Sequence, residues 1–253
     1  MVRKILLIVL IAVAYSFGIA TGHYQYFPFN LLFSLKQNVG MTENKRNFDV
    51  NLLEEVEISI SDRTGIYLTY GQSNSANHGQ IGYKVKNEVF QFLNKKTYLY
   101  EDPALGGTGE GGSVWGMVGD KLISSGKHDK VIFSNNGWQG KPMEELNCDP
   151  YIGYLINSYH ELVSEYHKVD AILFHQGEIN HQLKFGNKNY YRDFKYLIEK
   201  LRKEGIEIPI YLSRTSICDT KSDSTLINIQ NKIIKDFSVV HKGPNTDLLF
   251  EKK

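Results

Sequence analysis

Residues 171–181 read Ala171-Ile172-Leu173-Phe174-His175-Gln176-Gly177-Glu178-Ile179-Asn180-His181, an apolar run that gives way at once to a dense cluster of groups able to hydrogen-bond or titrate. A strand that is apolar at nearly every position is buried on both faces, the habit of a parallel sheet with helices on each side. Further short apolar runs along the chain end in Gly- or Asn-rich turns and lead into amphipathic stretches, the signature of βαβ units. The expected strands are 66–70, 130–134, 171–175 and 208–213, and the expected helices include 114–125, 153–167, 190–205 and 224–237. Between Asn77 and Ser113 the pattern weakens. There the segment Gly106-Gly107-Thr108-Gly109-Glu110-Gly111-Gly112 reads as a long loop, and such loops more often serve function than connection.

The 253 residues suffice for one sizeable domain or two small ones, and 42% hydrophobic with 23% charged residues excludes a disordered or fibrous chain. A net charge of +1 gives no field to gather nucleic acid. Cys148 and Cys218 fit no zinc or CxxC spacing and are too few for a disulfide scaffold; they form one disulfide or stay as two buried thiols. At the N-terminus, Arg3 and Lys4 precede an apolar run from Ile5 to about Ala20, and no further Asp, Glu, Lys or Arg occurs until Lys36. Residues 1–35 therefore read as a signal anchor or signal peptide. Gly18-Ile19-Ala20 would serve for cleavage, while Tyr24, Tyr26 and Phe27 supply interfacial aromatics; the anchor is preferred. Its flanking charges put the N-terminus inside and the domain outside the cytoplasm, periplasmic or at the cell surface, or secreted if the segment is cleaved. An oxidising compartment would permit a Cys148–Cys218 disulfide. Residues 36–62 read as a juxtamembrane linker and 63–253 as the globular domain.

In an open parallel sheet, ligands gather at the carboxyl ends of the strands. After the first strand comes Gly71-Gln72-Ser73-Asn74-Ser75-Ala76-Asn77, where glycine permits a tight turn and delivers Ser73 beside unpaired backbone N–H groups. A plain Ser or Asn helix cap is the simpler reading of these residues taken alone. After the second, Asn135-Asn136-Gly137-Trp138-Gln139-Gly140 could aim backbone N–H groups at a developing oxyanion, or form an ordinary turn. The cluster from His175 to His181 argues for a site more strongly than any one of its members. Its spacing of His175, Glu178 and His181 matches no defined zinc geometry, and the Gly-rich loop lacks a phosphate-cradling signature, so no metal and no nucleotide are expected. Trp115 and Trp138 could stack on a sugar ring, although a tryptophan in an α/β domain is more often core.

Taken together and in this order, Gly71-Gln72-Ser73-Asn74, the Gly-rich 106–115, Gly140 ahead of Met143-Glu144-Glu145-Leu146, and His175-Gln176-Gly177-Glu178 resemble the sialate O-acetylesterase-like carbohydrate esterase branch of the SGNH hydrolases. The resemblance spans about 65–247. It implies a flavodoxin-like three-layer αβα sandwich and removal of acetyl groups from sugar hydroxyls, with neither metal nor organic cofactor. Ser73 would be the nucleophile, its own N–H and that of Gly140 would lie in the oxyanion hole, and Gln176 and Glu178 would shape the site. The substrate would be an acetylated glycan or sugar.

One departure from the family counts against activity. Members carry an Asp-x-x-His near the C-terminus, whose His takes the serine proton. The last residues here, Asn245-Thr246-Asp247-Leu248-Leu249-Phe250-Glu251-Lys252-Lys253, hold no such pair, so the resemblance implies a domain incomplete at its C-terminus. His241 lies before the expected position, and His175 is the possible substitute base. The competing expectations are an acetylesterase acting through Ser73, a catalytically inert glycan-binding module, and a lipase or thioesterase, the last disfavoured by the polar strand ends.

Overall fold

A computed structural model of the chain describes residues 46–183, 186–218 and 221–252. Strand β1 (Thr64–Gly71) is buried at every position, and its alternate residues feed two cores. Ile66, Leu68 and Tyr70 face one side, with Ile132, Ile172 and Phe174; Tyr67 faces the other, with Val131, Phe133 and Ala171. Side chains of successive strand residues point to opposite faces, so a strand apolar throughout belongs at the centre of a sheet covered twice. Strands β2 (Val89–Leu93), β3 (Lys96–Leu99), β4 (Lys130–Gly137), β5 (Ala171–His175), β6 (Ile210–Arg214) and β7 (Val240–Asn245) complete it. Among the described residues the sheet has seven strands in the order β3-β2-β4-β1-β5-β6-β7. All neighbours are parallel except β2 and β3, a hairpin that closes one edge. The expected parallel α/β sheet is present, with this one antiparallel strand added.

Helix α1 (Trp115–Ser124) packs against β2 and β4 on one face. After the short α2 (Met143–Leu146), helix α3 (Tyr151–Tyr166) covers β1 and β4 on the other. The short α4 (Glu178–Gln182) follows β5 and leads to α5 (Gly186–Lys203), whose Tyr190, Phe194, Leu197, Ile198 and Leu201 form one buried stripe at helical spacing. Helix α6 (Ser224–Asp236) lies against β6 and β7, and its N-cap Asp223 accepts from the backbone N–H groups of Thr225 and Leu226 at 2.8 and 3.2 Å. Helices thus flank both faces, but unequally. On the α1 side, Tyr211 of β6, which pairs with Leu173, is 38% exposed, so this part of the sheet is not doubly covered among the described residues.

The structure bears on several further expectations. Of the expected linker 36–62, residues 36–45 lie outside the described residues, and 46–62 belong to the same compact unit as the rest of the described chain. Val56 N donates to Thr97 O at 2.9 Å and Leu99 N to Glu54 O at 3.3 Å, so this stretch covers the open edge of β3. Cys148 is an exposed free thiol, and the disulfide to Cys218 is not formed. The apolar run 5–20 and its anchor reading fall outside the described residues; among those described, no helix is long and apolar enough to cross a membrane.

Candidate active site

Strand register builds the site. Gly71 pairs with Gly137 on one side and with His175 on the other, so the carboxyl ends of β1, β4 and β5 form one row. The chain crosses from one side of β1 to the other between β4 and β5, and such a reversal opens a crevice beyond the strand ends. Gly71 itself takes φ +145°, and a Cβ there would lie 1.9 Å from the His175 carbonyl oxygen. Only glycine lets β1 turn this close to β5. The turn is then locked: Gln72 N donates to His175 O at 3.0 Å, while Gln72 Oε1 accepts from Gly177 N and Ile179 N at 3.3 and 3.1 Å.

This frame presents Ser73 at the start of a short 3₁₀ turn (Ser73–Ser75), half-buried, on the wall of a cleft of about 240 Å³ shared with Asn74, Gly79, Ile81, Gly112 and Val114. The opposite wall is clamped by a reciprocal pair of backbone bonds between Gly79 and Gly112, at 2.8 and 2.9 Å. Asn77 holds the Gly-rich loop from beneath, accepting from Ala104 N at 2.8 Å and donating to Ala104 O and Gly107 O. A Cβ on Gly106 would stand 2.3 Å from Asn135 O, which explains the lack of side chains where the loop crosses β4.

The expected residues come together in part. Asn74 Nδ2 donates to Glu178 Oε1 at 2.6 Å, and His175 Nε2 lies 3.4 Å from the same oxygen. Glu178 is 7% exposed. Burial is the strongest influence on its carboxyl and pushes it up. The facing His175, the residue's own backbone N–H and the Asn74 amide together outweigh that, and the carboxyl titrates below its ordinary range. His175 Nε2 and Glu178 Oε2 are nonetheless buried without a well-aligned hydrogen bond. Gln176 Nε2 donates to Lys141 O at 3.4 Å and to Asn180 Oδ1, which also accepts from Met143 N at 3.0 Å. These bonds tie the 140–143 turn to the His175–Glu178 segment. Gly140, at φ +63°, lies three residues beyond β4. Neither its N–H nor that of Ser73 donates to any acceptor among the described residues. No histidine among the described residues hydrogen-bonds to the Ser73 hydroxyl, and His241 lies on β7, away from this row. No cluster of metal-binding side chains occurs among the described residues.

The sequence did not reveal Arg46. It is 9% exposed, and its guanidinium reaches the end of β4, donating to Gly106 O, to Asn136 Oδ1 at 3.1 Å and to Asn135 O at 3.4 Å. Its Cζ lies 4.9, 4.9 and 4.3 Å from the ring centres of Phe48, Trp138 and Tyr154. Burial pulls its pKa down to about 10, against smaller raising effects of Tyr154 and Tyr70. Trp115 and Trp138 are 5% and 6% exposed and belong to the core.

Comparison with known proteins adds the fold's relatives. No protein-family model matches the chain, and no curated protein matches it in sequence. Solved structures do match. A protein from Arabidopsis thaliana aligns at TM-score 0.57 and 12% identity, over 72% of this chain and 85% of its own. A carbohydrate acetylesterase from Xanthomonas citri aligns at 0.50 and 17%, over 72% of this chain and 50% of its own, so this chain spans half of that enzyme. AlinE4, an SGNH-hydrolase family esterase, aligns at 0.50 and 15%, over 77% of this chain and 82% of its own. The chain shares its fold with SGNH-hydrolase esterases. At these identities the likeness speaks for the fold alone.

Proposed function

We propose that this protein is a serine carboxylic-ester hydrolase of the sialate O-acetylesterase-like type, removing acetyl groups from sugar hydroxyls. Ser73 attacks the acetyl carbonyl, the sugar oxygen leaves with a proton, and water releases acetate from the acyl-enzyme. The backbone N–H groups of Ser73 and Gly140 hold the negative oxygen of the tetrahedral intermediate. One observation carries this reading. Beyond the carboxyl ends of β1 and β4, the backbone N–H groups of Ser73 and Gly140 have no acceptor among the described residues, and Ser73 follows a turn fixed by the Gln72 bonds to Gly177 and Ile179. Both residues are partly exposed, so these donors are open to a ligand that enters from solvent. Gln176 and Glu178 hold the two strand-end segments in register.

His175 is the proposed base, with Glu178 as the carboxylate that orients it; the support is their 3.4 Å contact and the pairing of His175 with Gly71, two residues before Ser73. Acetate release from an acetylated sugar by the full chain, compared with Ser73→Ala and His175→Gln, tests both roles. Loss in the first and a drop of at least about 100-fold in the second are expected. Unchanged activity in His175→Gln would move the base elsewhere. A second reading, an inert glycan-binding module, is favoured by the absence of any histidine bonded to Ser73 among the described residues; it predicts sugar binding without acetate release. We place the protein outside the cytoplasm, held by the apolar run behind Arg3 and Lys4. Recovery of the intact N-terminus in the membrane fraction would support this, and a mature N-terminus near Thr21 would replace the anchor with a cleaved signal.

A further inference from the structure

A second hollow, of about 400 Å³, lies against the same Gly-rich loop, lined by Arg46, Phe48, Asp49, Gly109 and Glu110 among others. Its volume falls within the range of small-molecule sites, about 300–1,000 Å³. Gly109 borders this hollow and Gly112 borders the Ser73 cleft. Three residues of chain span at most about 11 Å, so one oligosaccharide could occupy both.

The lining has the chemistry of a sugar platform. Phe48 is 47% exposed, an unusual state for so large an apolar ring. It is held in place because Arg46, anchored on Gly106, Asn135 and Asn136 at the sheet edge, lies over one of its faces. The exposed charged groups at the rim are acceptors. Asp49 Oδ1 receives both the N–H and the side-chain amide of Asn51, at 3.0 and 2.9 Å, while Oδ2 and both oxygens of Glu110 have no protein donor among the described residues. An aromatic face beside open carboxylate oxygens suits a ring that offers C–H groups on one side and hydroxyl donors at its edge.

The charge balance sharpens the class. Arg46 is buried, sandwiched by rings and bonded only to neutral oxygens, so its cation already serves the fold. The two exposed carboxylates, Asp49 and Glu110, are the charges a ligand would meet. We infer that this hollow is a substrate subsite for an uncharged sugar ring next to the acetylated one, and that it rejects sugars bearing a carboxylate. The inference rests on the esterase reading for the word substrate, but the binding it claims does not need catalysis.

The test therefore measures binding and turnover separately on the full chain. Titration calorimetry on Ser73→Ala would use neutral disaccharides (xylobiose, cellobiose and N-acetyllactosamine) and, as the acidic probe, digalacturonate. At least one neutral disaccharide binds saturably, about fivefold or more weaker in Phe48→Ala and recovered in Phe48→Tyr, as expected for one aromatic contact. Digalacturonate binds more weakly than the neutral probe and gains in the double variant Asp49→Asn, Glu110→Gln. Absence of saturable binding by every neutral probe, equal binding by Phe48→Ala, or preference for digalacturonate would each overturn the subsite. Hydrolysis of p-nitrophenyl acetate by the wild type is read in parallel. If it is absent while the binding pattern holds, the esterase reading fails and the sugar site stands.

Discussion

Replacing Gly71 with alanine tests the turn that delivers Ser73. The new Cβ would start 1.9 Å from the His175 carbonyl oxygen, where ordinary contact is near 3.4–4 Å, so β1 and β5 must part by more than an ångström at their ends. An alanine held at φ +145° carries about 1–3 kcal/mol of backbone strain. The separation also stretches the bonds that cross the same gap, from Gln72 N to His175 O, at 3.0 Å, and from Gly177 N to Gln72 Oε1, at 3.3 Å. Each is worth about 1 kcal/mol net, which brings the expected loss to about 3–5 kcal/mol. With a urea slope of about 2 kcal/mol per molar, the unfolding midpoint should fall by about 1.5–2.5 M. Below that midpoint, acetate release should drop as well, because Ser73 loses its fixed place. A midpoint shift under about 0.5 M, with turnover at the wild-type rate, would refute the claim that this glycine is required by the close approach of β5.

Ser73→Ala removes a hydroxyl with no hydrogen-bond partner among the described residues, so urea unfolding should change by less than about 0.5 kcal/mol while acetate release disappears. Asp120, 6% exposed, accepts from Tyr83 OH, Lys86 N, Asn87 N and Asn87 Nδ2 at 2.9–3.0 Å. Asp120→Ala should cost about 2–4 kcal/mol and speed hydrogen exchange at the Lys86 and Asn87 amides. Arg46→Met leaves the Gly106, Asn135 and Asn136 oxygens without their donor and should cost about 2–4 kcal/mol in chemical unfolding. Because the folded-state pKa of Glu178 is depressed, its carboxylate stabilises the protein above the unfolded value, about 4.3, and this contribution is lost as the pH falls through the folded value. Glu178→Gln should accordingly be less stable than wild type at pH 7, with the gap closing below about pH 4 in pH-dependent unfolding.

The central strands were legible because burial on both faces leaves its mark on every residue, as in Ile66–Leu68 and Ala171–Phe174. The edge strands were not. β3 is four residues long with only Thr97 and Tyr98 buried, and β7 exposes His241 and Lys242. β4 also runs three residues past its expected end. Asn135 and Asn136 read as turn residues, yet they are buried in the strand because Asn135 Oδ1 takes Thr69 Oγ1 and Gly137 N, and Asn136 Oδ1 takes Arg46. At the site, the strand-end rule brought together Ser73, His175, Gln176 and Glu178, and the structure adds the Gln72 bonds that align them. Arg46 gave no signal, since its hydrogen-bond partners lie 60 to 90 residues away and no local periodicity encodes such pairing.

The most direct test of the central claim is fluorophosphonate labelling of the full chain, read by intact mass, with Ser73→Ala alongside. An activated serine reacts whatever its natural substrate. The account predicts one adduct on the wild type and none on Ser73→Ala. A folded wild type that stays unlabelled, or a label that persists in the variant, would contradict it.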